Sequence, residues 1–178
     1  SHGAHIPAPG TVVHAGEGKT LIGRFGHADG ADEVAEMLSH AGFSTTYTEQ
    51  IIKEIWRKSM INACINPLTA ILNVRNGFLI HHRYTKELMH AICTECLKIA
   101  DAHGITLEGV EKDVFSVAER TGDNISSMLQ DIRRGRKTEI EYINGAFHRY
   151  GLEKGIPAPY NLCMLMLVRA AESRHSSS

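Results

Sequence analysis

The stretch "WRKSMINACINPLTAILN" (residues 56–73) decides how the rest of the chain is read. Lys58, Asn62 and Asn66 stand four residues apart inside an otherwise apolar run. On a wheel of about 100° per residue, Asn62 falls about 40° and Asn66 about 80° from Lys58. Trp56, Met60, Ile61, Ala63, Cys64 and Ile65 occupy most of the remaining circumference. A helix apolar nearly all round belongs in the middle of a domain. Three polar groups in one stripe on such a helix must find partners, because an unpaired buried amide or ammonium is costly. The stripe either ties neighbouring helices together or lines a cleft and meets a polar ligand. The lysine favours the cleft, since lysine is rarely buried without a partner or a task.

Outward from this stretch, every strong signal after residue 49 is helical. One long helix is expected over about 49–73, disturbed at Pro67, with a turn at Asn76-Gly77. The next covers about 85–103, with Leu88, Ile92, Cys96 and Ile99 on one face and Gly104 at its end. Shorter helices are expected over 108–120, 124–133 and 139–154. A last one begins near Pro159 and frays into the tail "ESRHSSS". Residues 1–48 have a different character. Runs at 11–14 and 20–25 separated by glycines signal a hairpin, and Val34, Met37, Leu38 and Ala41 give a helix stopped by Gly42. "FSTTYT" reads as one more strand. Such a β-β-α-β piece is too small to bury both faces of a sheet, and resembles the end of an α/β domain. The expected class is therefore mainly α: residues 49–178 form a helical domain, preceded by a small α/β remnant at 1–48.

Size and composition narrow the function. The 178 residues, 43% hydrophobic and 22% charged, suit one soluble domain with a fragment of another. A net charge of -1 and a pI near 6.8 argue against a general nucleic-acid binder. No apolar run approaches the roughly 18 residues of a membrane span, and no signal-peptide pattern is present. The chain opens on Ser1 rather than Met, so a processed or truncated product is expected. Cys64, Cys93, Cys96 and Cys163 sit in apolar helical patterns, as reduced core cysteines of a cytoplasmic protein do. Cys93 and Cys96 form a C-x-x-C behind His90, but a second ligand pair and a preceding strand are both missing. Helix packing explains them better than metal or redox chemistry, and no metal site is assigned.

The segment "DNISSMLQDIRRGRKTEIEYINGAF" (residues 123–147) concentrates further chemistry. Asp123 or Asn124 can cap a helix, leaving Ser126 and Ser127 in its first turns, where free N–H groups favour anions. Thr138 followed by Glu141 fits a capping box. Glu139 has no such role, and faces either a cleft or solvent. "RRGRK" reads as a solvated interhelical loop before it reads as a phosphate site. "GEGKT" at 16–20 is not a phosphate loop, because Val13 stands where the pattern needs glycine. No G-x-G-x-x-G fingerprint occurs anywhere in the chain.

The motifs "EIWRKSMINACINPLTAILNVRNG" (54–77) and "NISSMLQDIRRGRKTEIEYINGAF" (124–147) together resemble the ketopantoate reductases, 2-dehydropantoate 2-reductases, over essentially the whole chain. "GAHIPAPGTVVHAGEGKTLIG" resembles the end of that family's nucleotide-binding domain, and "YGLEKGIPAPYN" its lead into the last helix. The resemblance implies a Rossmann N-terminal domain, an all-helical C-terminal domain of the 6-phosphogluconate dehydrogenase type, and an active site in the cleft between them. It implies NADPH-dependent reduction of ketopantoate to pantoate, on the way to pantothenate and coenzyme A. Carried over by position, Lys58 is the catalytic lysine, and Asn62, Asn66, Asn76 and Ser127 bind substrate. Glu139 orients Lys58 or the cofactor. The glycine-rich loop would lie upstream of Ser1, so NADPH would be held mainly outside this chain. A lysine in a closed, partly desolvated cleft can protonate the alkoxide that hydride transfer creates, with its pKa drawn down towards working pH. The three asparagines can donate to substrate oxygens, and Ser127 suits a carboxylate. Two other readings stay open: a related reductase for another 2-keto acid, and a non-catalytic helical dimerisation module. A homodimer fits either, because apolar helix faces serve a core and an interface equally well.

Overall fold

The computed structural model describes residues 3–26 and 29–174. The chain divides into two compact units, Ser1–Ile55 and Trp56–Ser178.

In the first unit β1 (Gly3–Ala8) and β2 (Thr11–Gly16) pair antiparallel, with His5 opposite Val13 and Ala8 opposite Thr11. Pro9 and Gly10 make the turn, and Gly10 takes a φ of 79° that its missing side chain permits. β3 (Thr20–Ile22) pairs parallel with β4 (Thr45–Tyr47), and α1 (Ala31–His40) connects them. This corrects the expected hairpin between 11–14 and 20–25. A two-residue turn lets β2 fold straight back on β1, a strand with no place in the sequence expectation, whereas β3 finds its partner across the helix. α1 ends before Gly42 as expected. Its apolar positions Val34 and Met37 are nevertheless exposed, and Ala35 is its buried residue.

α2 (Ile51–Leu72) carries the division between the units and runs on into the second. There it is followed by α3 (Phe78–His81), α4 (Arg83–Ala102) and α5 (Val110–Arg120). α6 (Ser127–Arg133), α7 (Asn144–Glu153) and α8 (Pro159–Ser173) complete it. From Ala63 to Ala70 every residue of α2 is buried, the central position that its all-round apolar pattern predicts. Ile92, Cys96 and Ile99 of α4, Val114 of α5, Leu129 of α6 and Val168 of α8 join it in one core. Trp56 stacks on Tyr150 at 5.3 Å between centroids and meets Phe147 edge-on at 5.7 Å. Arg57 reaches Asp113 and the Glu108 carbonyl. The mainly helical class follows as predicted.

Several local expectations are revised. Pro67 does not interrupt α2, whose helical run is continuous. The helix expected from 124 begins at Ser127, because Ser126 caps it by accepting from the Leu129 N–H at 3.1 Å. The one expected from 139 begins at Asn144, after a turn through 139–143. Thr138 and Glu141 form no capping box: Thr138 donates to Glu172 at 2.6 Å, while Glu141 pairs with Arg169 and Arg149. Cys64, Cys93 and Cys96 are buried, but Cys163 lies exposed on α8. "RRGRK" closes α6 as an exposed turn, with Arg133 donating to Asn73 Oδ1 at 2.7 Å.

Candidate functional site

α2 presents its polar stripe as a gradient of burial. Lys58 is exposed, Asn62 half-buried and Asn66 buried at 7% exposure. At 1.5 Å per residue, Lys58 stands about 12 Å and Asn62 about 6 Å along the axis from Asn66. Lys58 has no hydrogen bond or ion pair among the described residues. The closed, desolvated setting expected for it is therefore not formed by the helical unit alone.

Asn66, Ser127 and Glu139 meet at one small pocket, together with Met128, Asp131 and Ile143, and it is too tight in this structure to hold a water molecule. Two local devices build it. Thr69, one turn after Asn66, places its hydroxyl 2.7 Å from Ser126 Oγ, and so fastens α2 to the start of α6. Ser126 capping leaves Ser127 as the first residue of α6, exposed at the pocket. Glu139 enters from the turn before α7 and is likewise exposed. Asp131, one helical turn beyond Ser127, has no role in the sequence expectation, although its i,i+4 spacing from Ser127 was a usable signal.

Asn76 lies elsewhere. It is buried, and its main chain is pinned where Asn76 N donates to Asn124 O at 3.1 Å and Gly77 N to Gly122 O at 3.0 Å. That approach needs two glycines, since a Cβ on Gly77 would stand 3.0 Å from Gly122 Cα. Thr121 Oγ1 donates its proton to Val117 O at 2.7 Å, so toward Asn76 it can only accept. Asn76 Nδ2 supplies that donor at 2.8 Å, leaving Oδ1 buried and without a partner among the described residues. The side chain expected to donate to a ligand thus offers an acceptor.

A second set of polar groups is buried behind the stripe and has no counterpart in the sequence expectation. Glu95 of α4 accepts from Tyr160 N at 2.8 Å, Asn161 N at 2.9 Å and Asn161 Nδ2 at 2.8 Å, capping α8 from outside. Asn161 Oδ1 accepts from Asn144 Nδ2 at 3.0 Å. In sequence these are single polar residues on helices with exposed faces, and nothing local separates them from surface positions. Burial pushes the Cys64 and Cys96 thiols up, while a hydrogen bond with Cys64 holds Cys93 down. Among the described residues no cluster of His, Cys, Asp and Glu could hold a metal ion, and no helix is long and apolar enough to cross a membrane.

Residues 50–172 match the family profile described as ketopantoate reductase PanE/ApbA C terminal. The chain belongs to the ketopantoate reductase family. It is 41% identical over 175 residues to the 2-dehydropantoate 2-reductase of Archaeoglobus fulgidus, covering 97% of this chain and 59% of that protein. To the Escherichia coli O157:H7 2-dehydropantoate 2-reductase it is 38% identical over 167 residues, covering 92% of this chain and 54% of that one. It thus spans between about half and three-fifths of the curated 2-dehydropantoate 2-reductases it matches. Its fold superposes on a PanE/ApbA family ketopantoate reductase from Ralstonia eutropha with a TM-score of 0.91 at 28% identity, covering 99% of this chain and 58% of that one. A D-mandelate dehydrogenase bound to NADH and anilino(oxo)acetate superposes with a TM-score of 0.89 at 30% identity, covering 98% and 59%.

Proposed function

We propose that this chain is the substrate-binding and general-acid half of an NADPH-dependent 2-dehydropantoate 2-reductase, acting in pantothenate and coenzyme A biosynthesis. One observation carries the reading: Asn66, Ser127 and Glu139, far apart in sequence, line one pocket on the helix that also bears Lys58 and Asn62. NADPH, when bound, supplies the hydride. The chain lacks a G-x-G-x-x-G loop, so its residues do not fit the cofactor's phosphates, and that binding is assigned to a nucleotide-binding domain outside these 178 residues. Residues 1–48 are the end of that domain and 49–178 the helical substrate domain.

Within the helical domain the roles follow from reach and charge. Asn62 and Asn66 donate to the ketone and carboxylate oxygens and fix the keto carbon in place, which is worth several kcal/mol of barrier when geometry is held. Ser127, at the start of α6, hydrogen-bonds the carboxylate. Lys58 stands free on the exposed part of the stripe and gives its proton to the developing alkoxide. Glu139 orients the ammonium or contacts the cofactor.

The likeness to D-mandelate dehydrogenase favours one alternative, a related reductase for a different 2-keto acid. An apolar pocket separates substrates by only about 1–3 kcal/mol per methylene. NADPH oxidation by the protein with its complete nucleotide-binding domain, on a panel of 2-keto acids, tests both. Turnover is expected to be fastest with 2-dehydropantoate, and Lys58→Ala to lose about 10²-fold or more. A faster keto acid would change the substrate and keep the fold reading. Equal turnover of parent and Lys58→Ala would remove the general acid.

A further inference from the structure

Pro67 stands in the middle of α2 and has no N–H to give. In an α-helix that N–H would donate to the carbonyl four residues back, which here is Ala63. Ala63 is fully buried, so water does not replace the missing donor. Asn144 does: its Nδ2 donates to Ala63 O at 3.2 Å. Ala63 lies between Asn62 and Asn66, so this bond from α7 acts on the turn that carries both.

Asn144 is itself held. Asn161 Nδ2 donates to Glu95, so Asn161 Oδ1 is the atom left to accept from Asn144. Glu95, Asn161, Asn144 and Ala63 thus form one buried chain through α4, α8, α7 and α2. Asn144 Oδ1 has no partner among the described residues although Asn144 is 0% exposed. Rotating the amide would set that oxygen against the Ala63 carbonyl, so the orientation is decided by the acceptor that Pro67 leaves open.

We propose that Asn144 is a positioning residue that replaces the backbone donor absent at Pro67 and so sets the rotation of the α2 turn bearing Asn62 and Asn66. This rests on the reading of those asparagines as substrate ligands. Pro67→Ala supplies the missing N–H and makes the Asn144 contact redundant, which a merely structural role for Asn144 does not predict. In the protein with its complete nucleotide-binding domain, Asn144→Leu raises the KM for 2-dehydropantoate about tenfold, with kcat within about threefold of the parent. In the double variant Pro67→Ala/Asn144→Leu the KM returns to within about threefold of Pro67→Ala alone. The melting temperature stays lowered in both, because Asn161 Oδ1 loses its Asn144 donor in each and keeps only the weaker Cys96 Sγ–H at 3.6 Å. An equal KM rise in the two backgrounds, or none in Asn144→Leu, overturns the proposal. Asn144→Ser, too short to reach Ala63, takes the place of Asn144→Leu if the leucine variant does not fold. If the parent reduces no 2-keto acid, the functional reading falls on its own. The side-chain amide NMR signals of Asn62 and Asn66 then decide the positioning: shifted in the single variant and restored in the double, it stands; unmoved, it falls.

Discussion

Strand β2 and helix α2 are both rich in apolar residues, yet they meet opposite fates. In the first unit Ile6, Val12 and Phe25 are 70%, 67% and 74% exposed, whereas Met60, Ala63 and Cys64 of α2 are at 0%. β1 and β2 give each other one neighbour and no packed layer among the described residues, so Ile6 and Val12 stay in water, whereas β3 and β4 are partly covered by α1. In the 22-residue α2 the whole run from Ala63 to Ala70 is buried in the helical core, and exposure is confined to its flanks, with Ile55 at 51% and Leu72 at 45%. Secondary structure forms in both regions, but a core closes in only one.

The largest expected effect breaks or confirms that contrast directly. Val114→Asp puts a carboxylate at a fully buried site, and a loss of at least about 4 kcal/mol is expected in urea denaturation. Val12→Asp should change stability by no more than about 0.5 kcal/mol. Similar losses would mean that the first unit has a core of its own. Next in size is Glu95→Ala, which removes the acceptor for two buried donors and one part-buried donor and should cost about 2–3 kcal/mol, with α8 opening first in hydrogen exchange. Thr69→Val deletes the link to Ser126 and should cost about 1 kcal/mol, with slightly weaker substrate binding. The smallest effect is at alkaline pH. Cys64 and Cys96 keep their protons in the folded chain above the range where unfolded thiols, with pKa about 8.5, release them, so stability declines as pH rises past that point. Cys93, held down by Cys64, acts in the opposite sense, and Cys96→Ala should flatten the decline. Thiol labelling of the native chain should modify Cys163 first, and a buried cysteine reacting as fast would contradict the packing around Met60.

The helices of the second unit were legible because their signals are local. Apolar spacing at 3.6 residues and a glycine after α4 place that helix within two residues of its observed ends. Polar cues misled wherever they had a choice of partner. Thr138 and Glu141 have the spacing of a capping box, but Glu172 lies nearer to one and Arg169 to the other. Asn124 can cap a helix, yet Ser126 does so, because its hydroxyl is also held by Thr69 from α2. The stripe of Lys58, Asn62 and Asn66 was legible for the same reason as the helices. The groups that hold it, Glu95, Asn144 and Asn161, were not, since a lone buried amide has no sequence pattern.

By itself the sequence determined the helical class, the central place of α2, the family and the candidate ligand residues. The class and the place of α2 depend on periodicity, and the family and candidate residues on the resemblance of the motifs at 54–77 and 124–147 to those of the ketopantoate reductases. Only the tertiary structure decided that β2 turns back on β1, that Asn66, Ser127 and Glu139 share a pocket, and that Asn76 offers an acceptor. It also decided that Pro67 sits in an unbroken helix and that Asn144 answers the Ala63 carbonyl. Each of these is a choice among partners distant in sequence, and burial makes it, because a polar atom removed from water must take the partner that packing brings within about 3 Å.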